Sequence, residues 1–205
     1  MIRALFSRLY QIVFQRYLLH QWHELRPYLL STKTILDFGC GDMKFARYSA
    51  RRLPHTHITG VDVVDIQMKK SKRTNYIRYD GHVIPTKNAM YDIVMAYHVL
   101  HHCSYPFATL KECIRVSKGR VLIIEPVLTT IWEKPAMMLM DVLANSGGIS
   151  ISMPFHFYTK IQWHTMFKKA SMRVVEERNI GMFPDWLPIG KTTLFFIERI
   201  ETRVH

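Results

Sequence analysis

Ile35-Leu36-Asp37-Phe38-Gly39-Cys40-Gly41-Asp42-Met43 is the stretch that decides the fold. An apolar run ends in two closely spaced glycines, and a helical pattern over residues 43–53 follows, stopped by Pro54. This is the signature of a buried strand feeding a tight turn at the start of a helix. Glycines at 39 and 41 let the backbone turn sharply and bring its N–H groups against a bound ligand. Asp62 stands 23 residues after Gly39, at the end of the next predicted strand, where a carboxylate can accept both hydroxyls of a ribose.

Working outward, residues 57–62, 76–79 and 91–97 read as further short strands. Residues 106–116 read as a helix ended near Gly119, and residues 120–125 as the most continuously apolar strand in the chain. Runs of that kind belong to parallel sheets covered on both faces. Residues 131–144 predict a Met-rich helix closed by Asn145-Ser146-Gly147-Gly148, and Thr159 to Gln162 has capping-box spacing for another. Two last strands follow near 173–177 and 192–200. The alternation predicts an α/β, Rossmann-like, doubly wound and mostly parallel seven-stranded sheet, with helices on both faces and an antiparallel last strand. Residues 1–30 place polar groups among Leu5, Leu9, Ile12, Tyr17 and Trp22 at a helical period. They predict an N-terminal amphipathic helix, a lid or packing element, ahead of a single domain over residues 31–205.

Composition narrows the function classes. The chain has 205 residues, and 28 Lys+Arg against 16 Asp+Glu give a formal charge of +12. Hydrophobic residues make up 48% and charged residues 21%, which excludes a disordered chain. The three cysteines form no C-x-x-C pair, so a cysteine zinc site is not supported, no metal is expected, and a reducing cytoplasmic setting is. No apolar window approaches 18 residues, so neither a transmembrane span nor a secretory signal is read.

The glycine turn admits two nucleoside cofactors. A dinucleotide site wants G-x-G-x-x-G, but Lys44 holds the third glycine's position, and Asp37 fits badly beside a pyrophosphate because like charges repel. A cationic sulfonium nucleoside is favoured, which makes S-adenosylmethionine the expected cofactor.

Four ordered motifs then carry a resemblance. They are Leu36-Asp37-Phe38-Gly39-Cys40-Gly41, Gly60-Val61-Asp62, Tyr79-Asp80-Gly81 with Ile84-Pro85, and Tyr91-Asp92-Ile93-Val94 leading to Val99-Leu100-His101-His102. The sequence resembles the class I S-adenosylmethionine-dependent methyltransferases, more closely their type 11 group. The resemblance implies that Asp37 and the backbone at Gly39, Cys40 and Gly41 hold the methionine end. It further implies that Asp62 binds the ribose with Val63 against the adenine, that Asp80 accepts from the adenine amine beside Gly81, and that Ala96 and Tyr97 line the sulfonium. Many relatives have a third glycine where this chain has Met43, whose side chain is expected to crowd the cofactor's carboxylate.

The acceptor is expected beyond the carboxyl ends of the strands. His98, His101 and His102 after the fourth strand and Glu125 after the fifth fall there. In some small-molecule O-methyltransferases of this group a His-His pair with such an acid is thought to serve as base and orienter, which implies a catalytic set of His101, His102 and Glu125. A small-molecule acceptor (O, C or N) is the leading expectation. RNA is the alternative that the charge and the cluster Lys69-Lys70-Ser71-Lys72-Arg73 raise, but the chain lacks the Asn/Asp-Pro-Pro-aromatic motif of base-amine methylation. A third expectation is a membrane-surface enzyme on a lipid or quinone acceptor, with the arginine-bearing residues 1–30 touching anionic headgroups.

Overall fold

The computed structural model describes residues 2–66, 71–145, 153–181 and 191–200. Lys69 and Lys70 of the basic cluster and the glycines at 147 and 148 lie outside the described residues. In chain order the elements are α1 (Ile2–Leu29), β1 (Thr34–Phe38), α2 (Lys44–Ala50), β2 (His57–Asp62), β3 (Thr74–Arg78) and β4 (Ile93–Tyr97). Then come α3 (Pro106–Val116), β5 (Arg120–Leu128), α4 (Lys134–Asn145), β6 (Tyr158–Thr159), α5 (Lys160–Lys169), β7 (Met172–Asn179) and β8 (Lys191–Arg199). The sheet runs β3-β2-β1-β4-β5-β8-β7, with β6 added against β5. Strands β1 to β5 pair in parallel, while β8 is antiparallel to both β5 and β7.

The two-residue period of the strands makes two cores. Leu36, Phe38, Val94, Val121 and Ile123 face α3 and α5, where Leu110, Trp163 and Phe167 are buried. Ile35, Ile93, Met95, Leu122 and Ile124 face the other way, toward Phe45 and Ala46 of α2 and Leu25 and Leu29 of α1. Each leucine so buried contributes about 1.5–3 kcal/mol. The last turns of α1 are therefore a packing element. Glu24 pairs with Arg178 on β7, His20 Nε2 lies 3.1 Å from the Ile180 carbonyl, and Tyr28 packs on Phe196.

Several boundaries differ from the sequence reading for identifiable reasons. β4 starts at Ile93 because Asp92 serves as a tie: its carboxylate accepts from the backbone of Lys33 and Thr34 and from Lys118 Nζ. These donors hold its pKa down near 2 against the opposing pull of burial. The 131–144 segment divides into a 3-10 turn over Ile131–Glu133 and α4. The two-residue β6 raises the strand count to eight. The capping box is formed, with Thr159 Oγ1 accepting from Gln162 N and Gln162 Oε1 accepting from Thr159 N.

The order of connections reverses between β1 and β4, since β1 pairs with β2 on one side and β4 on the other. That switch point opens a crevice at the carboxyl ends of the strands.

Candidate active site

The turn after β1 is built from left-handed backbone. Gly39, Gly41 and Met43 have φ of 70°, 50° and 63°. At Gly39 a Cβ would lie 2.1 Å from Val99 Cγ2, so only glycine lets the segment after β4 come this close. Asp62 staples the turn to β2, its Oδ2 accepting from Gly41 N at 2.7 Å and its Oδ1 from Val64 N at 3.2 Å.

Met43, expected to intrude on the cofactor, does not. Its side chain is wholly buried in the α2 core against Gly60, where a Cβ would fall 1.9 Å from the Met43 sulfur. The left-handed backbone at 43 turns the side chain inward, and the missing Cβ at 60 gives it room.

A cleft of about 270 Å³ lies over this turn. Of the expected cofactor residues it gathers Gly39, Gly41, Asp62, Val63 and Gly81, joined by Phe38 and Tyr79 and, at its other end, by His98, Val99, His102 and Cys103. The remaining five lie elsewhere. Asp37 is buried beneath the turn, Cys40 packs toward Gly60, and Ala96 is fully buried in the sheet. Tyr97 stands edge-on to Tyr17 of α1 at 5.9 Å, and Asp80 turns its carboxylate to the backbone N–H groups of His82 and Val83.

The electrostatics suit a cationic nucleoside. Asp37 is pushed up to about 7, by burial first and then by the nearby Asp62 carboxylate. No lysine or arginine is found among the described residues lining the cleft. Apolar walls, a carboxylate at the end of β2 and a glycine turn with open space over Gly41 fit S-adenosylmethionine.

At the far end the three expected catalytic residues come together. His101 and His102 sit on a 3-10 turn, Leu100–His102, directly after β4, and Glu125 is on β5. Glu125 is fully buried. Its Oε1 accepts from the backbone N–H groups of Val99 and Leu100 at 2.8 and 2.7 Å, and its Oε2 lies 2.5 Å from His101 Nδ1. Phe157 stacks on the His101 ring at 5.2 Å, and the His156 N–H donates to the His101 carbonyl. Burial works to lower the His101 pKa, but the Glu125 and Asp141 carboxylates outweigh it and raise it to about 9. Burial likewise works to raise Glu125, and His101 more than offsets that, leaving it below its ordinary value. Next to them His98, half-buried in the cleft wall, is pushed down to about 4 by desolvation, which outweighs the pull of the Glu125 carboxylate.

Asp141 on α4 is the residue that sequence reasoning missed. Its Oδ1 lies 3.7 Å from His101 Nε2 and 3.6 Å from His102 Nε2. A signal existed, because Asp141 is the lone acid in the apolar run from Ala136 to Ala144.

Residues 36–124, from β1 into β5, match the family model of the Methyltransf_11 methyltransferase domain. The demethylmenaquinone methyltransferase of Thermotoga maritima is 30% identical over 102 residues, covering 47% of this chain and 44% of the relative. Daphnetin O-methyltransferase 1 of Secale cereale is 27% identical over 169 residues, covering 75% of this chain and 43% of the relative. The chain thus spans less than half the length of either curated relative. A Haloferax volcanii methyltransferase solved with the Trm112 methyltransferase activator superposes with a TM-score of 0.64 at 17% identity, over 90% of this chain and 91% of that one. A Bacillus halodurans structure gives 0.64 at 13% identity over 86% and 97%. These two likenesses establish the fold. The family model is matched across β1 to β5, and the glycine turn, Asp62 and the cleft all fall inside that span, so residues 36–124 carry a methyltransferase domain similar to those of the type 11 group of S-adenosylmethionine-dependent enzymes.

Proposed function

We infer that this protein methylates a small-molecule acceptor held at the His98 to His102 end of the cleft. The observation that carries the reading is the dry polar cluster at that end: His101, Glu125 and Asp141 lie beside the cleft with side chains 3%, 0% and 12% exposed. Such a site excludes water and takes a ligand that can enter it. The cofactor, when bound, supplies a methyl group on an already good leaving group, so the protein's task is alignment and proton management.

Each part has its residue. The Gly39 and Gly41 backbone holds the methionine end, supported from beneath by the buried Asp37 and by Cys40; Asp62 takes the ribose hydroxyls, exchanging part of its bonding to Gly41 and Val64. Val63 covers the adenine with Gly81 at its amine edge, which Asp80 would reach by giving up its bonds to His82 and Val83, and the buried Ala96 with Tyr97 backs the strand end beside the sulfonium. Glu125 holds His101 through Nδ1; with Asp141 it keeps His101 protonated near neutral pH, so His101 orients the acceptor and His102 draws off its proton where one must leave. Residues 1–30 act as the lid, consistent with the Tyr17 to Tyr97 contact. A cytoplasmic setting agrees with free thiols at Cys40, Cys103 and Cys113.

Transfer of isotope-labelled methyl to a metabolite extract and to total RNA tests the acceptor class. Label in the small-molecule fraction supports the reading, and label confined to RNA overturns it. The cleft, without lysine or arginine among its described lining residues, gives RNA little to hold.

A membrane-borne acceptor is the second reading, favoured by Trp132 and Ile131, 87% and 67% exposed, just ahead of the helix carrying Asp141. The Thermotoga relative's quinone acceptor points the same way. No helix among the described residues is long and apolar enough to cross a membrane, so contact would be peripheral. Flotation with anionic liposomes separates the readings: wild type should float and Trp132→Ser sink if the membrane reading holds, while a wild type that stays at the bottom removes it.

A further inference from the structure

The cluster at the end of the cleft has the geometry of more than a hydrogen-bond network. Asp141 Oδ1 stands 3.7 Å from His101 Nε2 and 3.6 Å from His102 Nε2, and one ligand atom from each residue lies within 4.8 Å of the other two. Both separations exceed the 2.7–3.2 Å of a good N–H···O bond. They are close to the edge of a coordination tetrahedron, which for bonds of about 2.0–2.2 Å to zinc is about 3.4 Å. The geometry points to a divalent-cation site formed by His101 Nε2, His102 Nε2 and the Asp141 carboxylate.

Three further features support it. First, the tautomer is set. His101 Nδ1 is engaged by Glu125, itself anchored by two backbone N–H groups, which leaves Nε2 to face the cluster; this is the carboxylate–histidine arrangement that orients metal-bound imidazoles. Second, the charges call for a cation. Glu125 and Asp141 bring two carboxylates to two imidazoles in a niche where the three ligand side chains are 3%, 12% and 12% exposed, and a divalent ion neutralises them. Third, three protein ligands leave a coordination position open. His102 also lines the cleft, so that position faces the cofactor end. Two imidazoles and one carboxylate with an open position are the donor set of catalytic zinc, and other divalent first-row ions accept it too.

The consequence for chemistry rests on the methyl-transfer reading of the same site. An acceptor hydroxyl or thiol would place its heteroatom in the open position, and its proton, acidified by the ion, would pass to the second oxygen of the Asp141 carboxylate. The acceptor class thereby narrows to oxygen and sulfur, and His101 and His102 act as ligands in place of a free imidazole base.

The test is equilibrium dialysis of the metal-stripped full chain against micromolar zinc sulfate, with metal counted by mass spectrometry. Cobalt(II) is used in parallel because its visible absorption reports four-coordinate ligation. One equivalent should bind to wild type and less than about a tenth to Asp141→Ala or His102→Ala, while Glu125→Gln should weaken binding by about 10- to 100-fold. Histidine resonances give a reading on wild type alone: zinc should shift those of His101 and His102 before those of the other nine histidines. Substoichiometric zinc in wild type, a full equivalent in both ligand variants, or unshifted His101 and His102 resonances would overturn the proposal. Calorimetry with S-adenosylmethionine on the same metal-free samples separates the two readings. Cofactor binding without zinc binding removes only the metal, and zinc binding without cofactor binding removes only the methyl-transfer reading.

Discussion

Asp37 should couple both stability and cofactor binding to pH. Its carboxyl is buried beneath the glycine turn, and burial together with Asp62 lifts its pKa to about 7, from about 3.9 in an unfolded chain. Because the folded value is the higher one, the folded state binds the proton more tightly. The associated stability is full below the unfolded pKa and is lost as pH rises from about 4 to about 7. The slope approaches about 1.4 kcal/mol per pH unit and sums to no more than about 4 kcal/mol across the window. A cationic ligand reverses the preference, since it stabilises the ionised carboxylate. If Asp37 is ionised in the complex, the dissociation constant for S-adenosylmethionine should fall about tenfold between pH 6 and pH 8, with proton release on binding. Urea melts and calorimetry of wild type and Asp37→Asn at both pH values check this. The variant, which cannot titrate, should show a flatter stability profile and a pH-independent affinity. Identical pH profiles in the two proteins would refute the reasoning.

Gly39→Ala forces a Cβ into Val99 and a side chain into left-handed backbone, and should cost about 2–5 kcal/mol by urea denaturation. Adding Val99→Ala should recover part of that, and independent, additive costs would contradict the packing account. His101→Ala and His102→Ala should each lower turnover at least about tenfold while calorimetry shows cofactor affinity kept; near-wild-type rates in both would remove the catalytic assignment. Arg178→Ala breaks the pair with Glu24 that ties α1 to β7, and hydrogen exchange in α1 should accelerate while that in β4 and β5 stays slow.

The glycine turn, Asp62 and the apolar β5 were legible because their signals are local: two glycines with positive φ, a carboxylate at a strand end, and an unbroken buried run. The His101, His102 and Glu125 juxtaposition was legible too, since β4 and β5 are adjacent parallel strands that run side by side toward the same edge of the sheet. Asp141 was not, because only the return of α4 over the cleft brings it within 4 Å of residues about 40 positions earlier. β6 was invisible because two residues carry no periodicity. Met43 was misjudged because the direction of its side chain depends on left-handed backbone at 43 and on the space that Gly60 leaves, a contact between the start of α2 and the middle of β2 that sequence spacing does not encode. The +12 charge, for its part, names no activity. The cleft has Asp62 in its lining and Asp37 buried beneath it, and no lysine or arginine is found among the described residues that line it.

The most direct measurement is a calorimetric titration of S-adenosylmethionine into the folded wild-type chain and into Asp62→Ala, with thermal melts confirming that both are folded. Saturable one-to-one binding to wild type, weakened at least about tenfold in the variant, is the predicted result. A folded wild type that does not bind the cofactor, or a variant that binds it equally well, would contradict the assignment of this cleft.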